Sequence, residues 1–525
     1  MIGFHIDMNI AQFTEAYLAK WLHELARLGY DTVVWEVENN VRWETCPECV
    51  SPDAFTKEEF RRILQLCRNL GLEPIPLFQP IAHCEYVLKL DKYKYLAEKQ
   101  GSIDQYCPRH PDLLPFLKRW VDEYAELFGK LQHFHLGADE AWALGTCGKC
   151  AEYVRSHSLS DLYIEHVNAL AEPLIQRGIT PIIWADMALH HNEALDKLSR
   201  DIMLFDWFYD RWHGRGKFWV WGKGWVYDEN IPLDVLDQFG EYLFPNGDEP
   251  GRSPETFYTA DYLAAEGFRA ATCPASSSYG DNVFSPRNWH HMINTFDSCH
   301  KGLQADLAGS CLTSWSVHLY PWELQLAAIS IPPYVAENPH STIERFQDSF
   351  VRSRFGTVEN GFWLACGLLS KSCLFTHTSS LGFDKAALPV GADHVQRTIE
   401  KISSQGLLDR ELNNAIGCLA EYRKGLALLE AFGEAASTGQ DILEAWVLAA
   451  RNLVNRAEAT AALLERARGS VVRVEHFLET MRSLREETDR FYEGVIKPTR
   501  RREMMEWMYG SMDAALSEAA GQTKG

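Results

Sequence analysis

Residues 56–79, TKEEFRRILQLCRNLGLEPIPLFQ, contain one complete helix-to-strand transition. Thr56 and Glu59 have the spacing of a capping box, in which the two side chains satisfy free amide groups at the start of a helix. Gly71 is suited to end the helix, because glycine readily adopts the left-handed conformation found there. The apolar run that follows indicates a strand buried on both faces. The stretch therefore predicts one helix followed by one strand of a parallel α/β fold.

The same alternation of short apolar runs and amphipathic stretches continues over the first 330 residues. Eight segments are predicted as strands, at residues 2–8, 32–38, 73–79, 133–139, 180–187, 202–209, 268–276 and 310–316. Between them lie helical patterns at 13–28, 57–70, 113–128, 161–177 and 287–300. Eight such units predict a (β/α)8 TIM barrel. A doubly wound open sheet is the alternative, and it is less favoured because no glycine-rich phosphate turn follows the first strand.

The character of the chain changes near residue 335. Segments 409–431, 438–468 and 474–492 have apolar residues at helical spacing, and no proline occurs between Pro389 and Pro498. We therefore predict two domains, a catalytic barrel at 1–335 and an α-helical C-terminal domain at 336–525. The helical domain would pack on the barrel or on a second subunit, so a homodimer is a possible assembly.

The composition is that of an acidic globular protein. Of 525 residues, 46% are hydrophobic and 23% charged, and the formal net charge is −21. Such a surface repels nucleic-acid phosphates and anionic lipids, so neither nucleic acid nor a membrane is an expected partner. The N-terminal sequence lacks a secretory signal pattern, and no apolar run approaches the roughly 20 residues of a membrane span. We expect a cytoplasmic protein.

Two adjacent carboxylates, Asp139 and Glu140, stand at the end of the fourth predicted strand. Barrel enzymes carry their chemistry at this end of the strands. One carboxyl group can donate a proton to a glycosidic oxygen while the other stays charged, which suits glycoside hydrolysis. Glu140 joins Asp139 only if the chain turns after the strand. A solvated acidic pair at the rim is the alternative interpretation.

The context of this pair resembles a known signature. Residues 135–140, HLGADE, resemble the His-x-Gly-x-Asp-Glu motif of glycoside hydrolase family 20, the β-N-acetylhexosaminidases. Residues 71–83 and 181–187 resemble the third and fifth strands of that family, and Glu38-Asn39 resembles an acidic pair in its branch without an N-terminal accessory domain. The resemblance covers roughly residues 1–330.

The resemblance implies a retaining, substrate-assisted mechanism that needs no catalytic cofactor. The acetamido oxygen of the substrate would attack its own anomeric carbon. Asp139 would orient that acetamido group, and Glu140 would act as general acid and then as general base. Trp184, Trp207 and Trp315 would wall the sugar site, and Tyr209 would bond the acetamido oxygen.

Other sugar contacts are less specific. Glu323 could bind sugar hydroxyls or be a rim carboxylate at a helix start. His83 and His135 could support the site or be structural histidines. The family usually has an arginine on the first strand, which is absent here, and His5 or Asp7 could substitute for it. The configuration of the sugar therefore stays open.

Two Cys-x-x-Cys pairs, Cys46/Cys49 and Cys147/Cys150, follow the second and fourth strands. Both pairs resemble zinc knuckles, and together they could hold one structural zinc ion. Free thiols and disulfides are the alternatives among the 13 cysteines of the chain.

The sequence thus predicts a hydrolase of carbohydrate metabolism, an exo-acting β-N-acetylhexosaminidase whose partner is an oligosaccharide or glycoconjugate ending in N-acetylhexosamine. A glycosidase for a modified or galacto-configured N-acetylhexosamine is a related alternative. A non-catalytic sugar-binding or scaffold protein on a zinc-stabilised barrel is the alternative from another class.

Overall fold

The computed structural model describes residues 1–209, 216–247, 253–316, 320–381 and 390–522. Its strands, in chain order, are β1 Ile2–Asp7, β2 Thr32–Glu36, β3 Glu73–Leu77, β4 His133–His135, β5 Thr180–Trp184, β6 Met203–Trp207, β7 Lys217–Val220, β8 Gly224–Tyr227, β9 Ala270–Cys273, β10 Ala275–Ser277 and β11 Ser310–Ser314.

Eight of these strands close into a barrel. Their order is β1-β2-β3-β4-β5-β6-β9-β11, and β11 also pairs with β1. The pairings from β1 through β6 to β9 and β11 are all parallel. β7 and β8 form a separate antiparallel hairpin, and β10 pairs with β11. The predicted (β/α)8 barrel is confirmed, and the open sheet is not formed.

The register of the strands aligns the carboxyl ends of neighbouring strands at the same height in the barrel. Asp7 lies opposite Glu36, Glu36 opposite Leu77, Leu77 opposite His135, and His135 opposite Ile182. Residues that directly follow these positions therefore emerge at the same end of the barrel, where enzymes of this fold place their chemistry.

The helix before β3 is built as its sequence predicts. The Thr56 hydroxyl accepts a hydrogen bond from Glu59 N at 3.1 Å, and the Glu59 carboxylate accepts one from Thr56 N at 2.7 Å. This capping box begins a helix over Lys57–Asn69, and Gly71, at φ 79°, allows the chain to turn into the strand.

The fourth strand is shorter than predicted. It ends at His135, whereas the sequence predicted a strand to residue 139. Gly137, Ala138 and Glu140 have φ values of 50°, 71° and 49°, so the backbone is left-handed there and leaves the extended conformation. A strand pattern does not reveal this bend, because alternation of apolar residues continues through it.

The helices alternate with the barrel strands along the chain and continue to the C-terminus. They are α1 Glu15–Leu28, α2 Lys57–Asn69, α3 Glu85–Leu88, α4 Leu113–Phe128, α5 Gly148–Val154, α6 Leu159–Ile175, α7 Asp186–His190, α8 Leu233–Leu243, α9 Tyr258–Ala265, α10 Asn288–Gln304, α11 Trp322–Ile329, α12 Ile331–Glu337, α13 Ile343–Phe355, α14 Gly361–Leu369, α15 His394–Ser404, α16 Leu408–Ala435, α17 Gln440–Ala467, α18 Glu475–Tyr492 and α19 Pro498–Gln522.

The chain forms two compact units that interleave along the sequence. The first comprises Met1–Asn9, Trp21–Ala275 and Asn294–Thr313, and the second comprises Ile10–Lys20, Ser276–Ile293 and Ser314–Gly525. The predicted division at residue 335 stays a prediction.

The regular elements described after residue 320 are all helices. The two longest helices, α16 and α17, pack against each other, and α18 packs against α19. A buried polar cluster joins three of these helices, because the Tyr509 hydroxyl lies 2.7 Å from Asn452 Oδ1 and 2.9 Å from Thr488 Oγ1. Buried polar groups that satisfy one another in this way favour a single packing arrangement.

Among the described helices, none is both long and apolar enough to cross a bilayer. The cytoplasmic location and the homodimer stay predictions.

Candidate active site

A layer of buried polar side chains lies at the carboxyl ends of the first three strands. His5 Nε2 is 3.0 Å from Glu36 Oε2, and Gln79 Nε2 donates to Glu36 Oε1 at 3.0 Å. Gly137 borders this layer: a Cβ added there would lie 2.0 Å from Gln79 Oε1. A side chain at this position would displace Gln79, so glycine is needed both for its φ and for this close approach.

The bend after β4 is held by side chains of other elements. The Tyr163 hydroxyl on α6 donates to Ala138 O at 2.9 Å, and Glu140 N donates to Asp186 Oδ2 at 3.0 Å. Trp207 Nε1 donates to the other oxygen of Asp186 at 3.2 Å. Left-handed backbone at a non-glycine residue costs on the order of 1–3 kcal/mol and persists where its surroundings fix it. These contacts provide that fixation.

Both acidic side chains reach the same imidazole. His83 Nε2 lies 3.3 Å from Asp139 Oδ2 and 3.3 Å from Glu140 Oε2. Asp139 is buried, with 6% of its surface exposed, whereas the Glu140 side chain is 42% exposed. The turn that the sequence required of Glu140 is therefore present, and one carboxylate faces solvent while its neighbour does not.

A third carboxyl group belongs to this cluster. Burial first, and then the neighbouring Asp139 carboxylate, raise the pKa of Asp186 well above its usual range. A low-dielectric surrounding disfavours the charged form, and a like charge nearby adds to the effect. Asp186 thus belongs to the same cluster as Asp139 and Glu140. Asp186 was not among the predicted site residues, although it lies in the 181–187 stretch that supports the resemblance.

His135 and Trp184 lie below this cluster, inside the barrel. Their ring centroids are 4.4 Å apart, and both residues are completely buried. His135 Nδ1 accepts a hydrogen bond from Gly137 N at 2.9 Å. Burial lowers the pKa of His135 well below its usual range, which keeps the ring neutral and able to accept. Neither ring offers a surface to a sugar here, and their contacts support the bend instead.

His5 and Asp7, which were suggested as replacements for the missing arginine of the first strand, are also buried. His5 contacts Glu36, as described above, and the Asp7 carboxylate accepts a hydrogen bond from Asn9 N at 2.8 Å. Neither side chain is exposed to a ligand.

Several aromatic residues lie near the acidic cluster; Trp207 and Tyr209 are partly exposed, whereas Trp221 is buried. Trp207 and Tyr209 stack at 5.2 Å, and Trp221 meets Trp207 edge-on at 4.9 Å. Trp142 follows Glu140 by two positions and is 53% exposed. Trp142 and Trp221 were not predicted. Position alone could have indicated Trp142, since it lies in the loop that directly follows the acidic pair.

Trp315 and Glu323 belong to the second compact unit. Glu323 is buried, and its carboxylate accepts hydrogen bonds from the Tyr17 hydroxyl at 2.7 Å and from Lys20 Nζ at 2.6 Å. The predicted sugar contacts of Trp315 and Glu323 stay predictions.

The four cysteines predicted to share one metal do not come together. Cys147 and Cys150 lie with Cys107 and Glu98, and the ligand atoms of these four residues are all within 4.8 Å of one another. Cys46 and Cys49 instead pair with each other, and the Cys49 thiol donates to Cys46 O at 3.0 Å. Cys107 is not part of a Cys-x-x-Cys motif, so the sequence did not indicate it as a ligand. The possible ligand atoms of His83, Asp139 and Glu140 also lie within 4.8 Å of one another, close enough to hold a cation.

Residues 33–214 match the model of the glycosyl hydrolase family 20 catalytic domain. Over this range the chain is similar to glycoside hydrolase family 20. The matched range contains the acidic pair, His83 and Asp186, so the similarity coincides with the clustered side chains described above.

Two curated relatives match about a third of the chain. Hexosaminidase D of Bos taurus and hexosaminidase D of Homo sapiens are each 27% identical over 188 residues, which is 35% of this chain. The match covers 54% of the bovine protein and 39% of the human protein, so this chain spans about half or less of the curated relatives' length.

Solved structures of family 20 proteins are similar at low identity. Streptomyces plicatus N-acetyl-β-hexosaminidase has a TM-score of 0.47 at 13% identity and covers 66% of each chain. Flavobacterium johnsoniae chitobiase has a TM-score of 0.45 at 15% identity, covering 96% of this chain and 77% of its own.

Proposed function

We propose that this protein is a retaining, exo-acting β-N-acetylhexosaminidase that removes terminal 2-acetamido-2-deoxy sugars by substrate-assisted catalysis. The observation that carries the proposal is the shared position of Asp139 and Glu140, each 3.3 Å from His83 Nε2. Hexosaminidase D, the name of both curated relatives, points to the same class of substrate.

Glu140 has the properties of the acid and base. Its carboxyl group is partly exposed, so it can reach the glycosidic oxygen of a bound sugar and afterwards a water molecule. In the first step the glycosidic C–O bond breaks and the Glu140 proton passes to the leaving oxygen. In the second step Glu140 removes a proton from the water that attacks the anomeric carbon.

Asp139 is suited to the acetamido group of the substrate. As a buried carboxylate beside Glu140, it can accept a hydrogen bond from the acetamido N–H. This bond would turn the acetamido oxygen toward the anomeric carbon. Attack by this oxygen gives an oxazolinium ion, whose positive charge a desolvated anion stabilises strongly. Water then opens the ring, and two inversions at the same carbon give net retention.

A substrate series tests the proposal. Aryl β-glycosides of N-acetylglucosamine and N-acetylgalactosamine should be hydrolysed, with the ratio of their kcat/KM values fixing the sugar configuration, and the aryl glucoside without an acetamido group should be inert. Replacing the acetamido methyl hydrogens by fluorine weakens the nucleophile, so kcat should fall steeply along the series. A fluorine-independent kcat would contradict substrate assistance.

Two variants separate the roles of the carboxylates. Glu140→Gln should lower kcat by about 10²–10⁴ for poor leaving groups and much less for leaving groups that need no proton. Asp139→Asn should lower kcat for all leaving groups alike. Wild-type protein that binds 2-acetamido sugars but turns over none of them would favour the sugar-binding alternative.

A further inference from the structure

The group formed by Glu98, Cys107, Cys147 and Cys150 comes from two separate loops. In the loop between β3 and α4, an antiparallel bridge joins Ala97 and Tyr106, and Glu98 N donates to Gln105 O at 2.9 Å. This pairing sets Glu98 beside Cys107. The second loop follows β4 and enters α5, whose N-cap is Cys147.

The ligand atoms have the spacing of a closed metal site. Cys107 Sγ lies 3.3 Å from Cys147 Sγ and 3.6 Å from Cys150 Sγ, and Cys150 Sγ lies 3.1 Å from Glu98 Oε2. Tetrahedral coordination with zinc–sulfur bonds of about 2.3 Å places neighbouring ligand atoms roughly 3.5–3.8 Å apart. A small outward adjustment would admit the ion.

Burial and charge also point to a cation. Glu98 and Cys107 are 1% and 2% exposed, Cys150 is completely buried, and all of the cysteines are free thiols. No lysine, arginine or histidine in the described part of the chain forms an ion pair with Glu98. The guanidinium of Arg109 instead pairs with Glu165 at 3.6 Å. A buried carboxylate beside three thiols is costly unless a cation neutralises it.

The backbone around the group matches a zinc knuckle. Cys147 Sγ accepts a hydrogen bond from Cys150 N at 3.3 Å, and Glu98 Oε1 accepts one from Cys147 N at 3.1 Å. Such bonds orient ligands and stabilise their negative charge.

We propose that Glu98, Cys107, Cys147 and Cys150 bind a structural zinc ion. Three thiolates and one carboxylate complete a tetrahedral set without an open position, so the ion holds the loops and takes no part in catalysis. This ligand set replaces the predicted one, because Cys46 and Cys49 lie outside the group.

The site would fix the loop that leaves the acidic pair. Residues 141–146 connect Glu140 to Cys147, and Ala143 N donates to Gln105 Oε1 at 2.8 Å. The loops are already joined by this hydrogen bond. The ion would join them again at Cys147, seven residues beyond Glu140.

Metal analysis of the purified full chain, expressed with zinc in the medium, is the test. We expect one zinc per wild-type chain and per Cys46→Ser chain, and at least a tenfold loss of bound zinc in Cys107→Ser. Glu98→Gln should retain the fold and release zinc faster to a chelator. Hydrogen exchange of residues 141–150 should rise when a chelator is added to wild type, whether or not the variants fold.

Three results would overturn the proposal. Wild type could contain no zinc and show all 13 thiols by titration. Its intact mass could be lower by two hydrogens, which would indicate a disulfide. Zinc could also persist in Cys107→Ser and be lost from Cys46→Ser. None of these results depends on hydrolase activity, so the zinc site and the proposed function fail separately.

Discussion

Glu140 N donates a hydrogen bond to Asp186 Oδ2 at 3.0 Å, so a side chain at the start of α7, just beyond β5, holds the backbone of the bend that follows β4. The bonded residue has a φ of 49°. Asp186 thereby sets the direction in which the Glu140 side chain leaves the bend.

Under the proposed mechanism, Asp186→Ala should therefore lower kcat although Asp139 and Glu140 are both retained. The variant loses the bonds to Glu140 N and Trp207 Nε1, and misplacement of a reacting group by about 1 Å costs roughly 100-fold in rate. Steady-state kinetics on an aryl N-acetylglucosaminide measures the effect. Asp206→Asn is the matched control, since Asp206 is a buried carboxyl group of β6 outside the cluster. Equal losses of kcat in both variants would contradict the positioning role.

Gly137→Ala should destabilise the protein by about 1–3 kcal/mol. Its φ is 50°, and the new Cβ would lie 2.0 Å from Gln79 Oε1. Urea unfolding measures the free energy of unfolding. Gly417→Ala is the control, because Gly417 is exposed within α16 with nothing within 4 Å of an added Cβ. That change should stabilise the protein by about 0.5–1 kcal/mol. A Gly137→Ala protein as stable as wild type would show that the bend tolerates a side chain.

Asp206 should make stability depend on pH. Burial raises the pKa of its carboxyl group from 3.8 to about 6, while a hydrogen bond from Thr259 opposes the shift. The folded protein thus retains a proton that the unfolded chain releases, so stability is full below pH 4 and declines as pH rises to 6. The decline is about 3 kcal/mol. Unfolding of wild type and Asp206→Asn at pH 4 and pH 7 measures it, and parallel pH dependences would disprove the assignment.

Trp142→Ala should raise KM with little change in kcat. An exposed indole two residues after the acid is placed to stack on the group leaving the glycosidic bond. Loss of such a contact costs about 1 kcal/mol, or roughly fivefold in KM. The control is Trp289→Ala, which removes an exposed indole from α10 in the second unit. If disaccharide KM values stay at the wild-type level, Trp142 has no such contact.

The barrel could be predicted from sequence because each strand and helix carries its own local signal. The helix cap at Thr56 and the stop at Gly71 involve only neighbouring residues, and both are present. The bend after β4 depends on distant groups such as Tyr163 and Asp186. Local pattern therefore extended that strand by four residues.

The difference between local signals and long-range contacts also explains which site residues could be predicted from the sequence. Asp139 and Glu140 lie in a recognisable motif, whereas the contact of both with His83 is a property of the folded chain. Trp184 was predicted to line the sugar site, and in the fold it is buried against His135. Cys107 was missed since its partners are 40 and 43 residues away.

The hydrogen bond from the Tyr163 hydroxyl to Ala138 O links an outer helix to the reactive bend. Under the proposed mechanism, substitutions in the outer layer that shift α6 by fractions of an ångström would change the rate of turnover. Engineering for heat resistance that repacks this helix would alter reaction rates even when every residue near the substrate is left untouched.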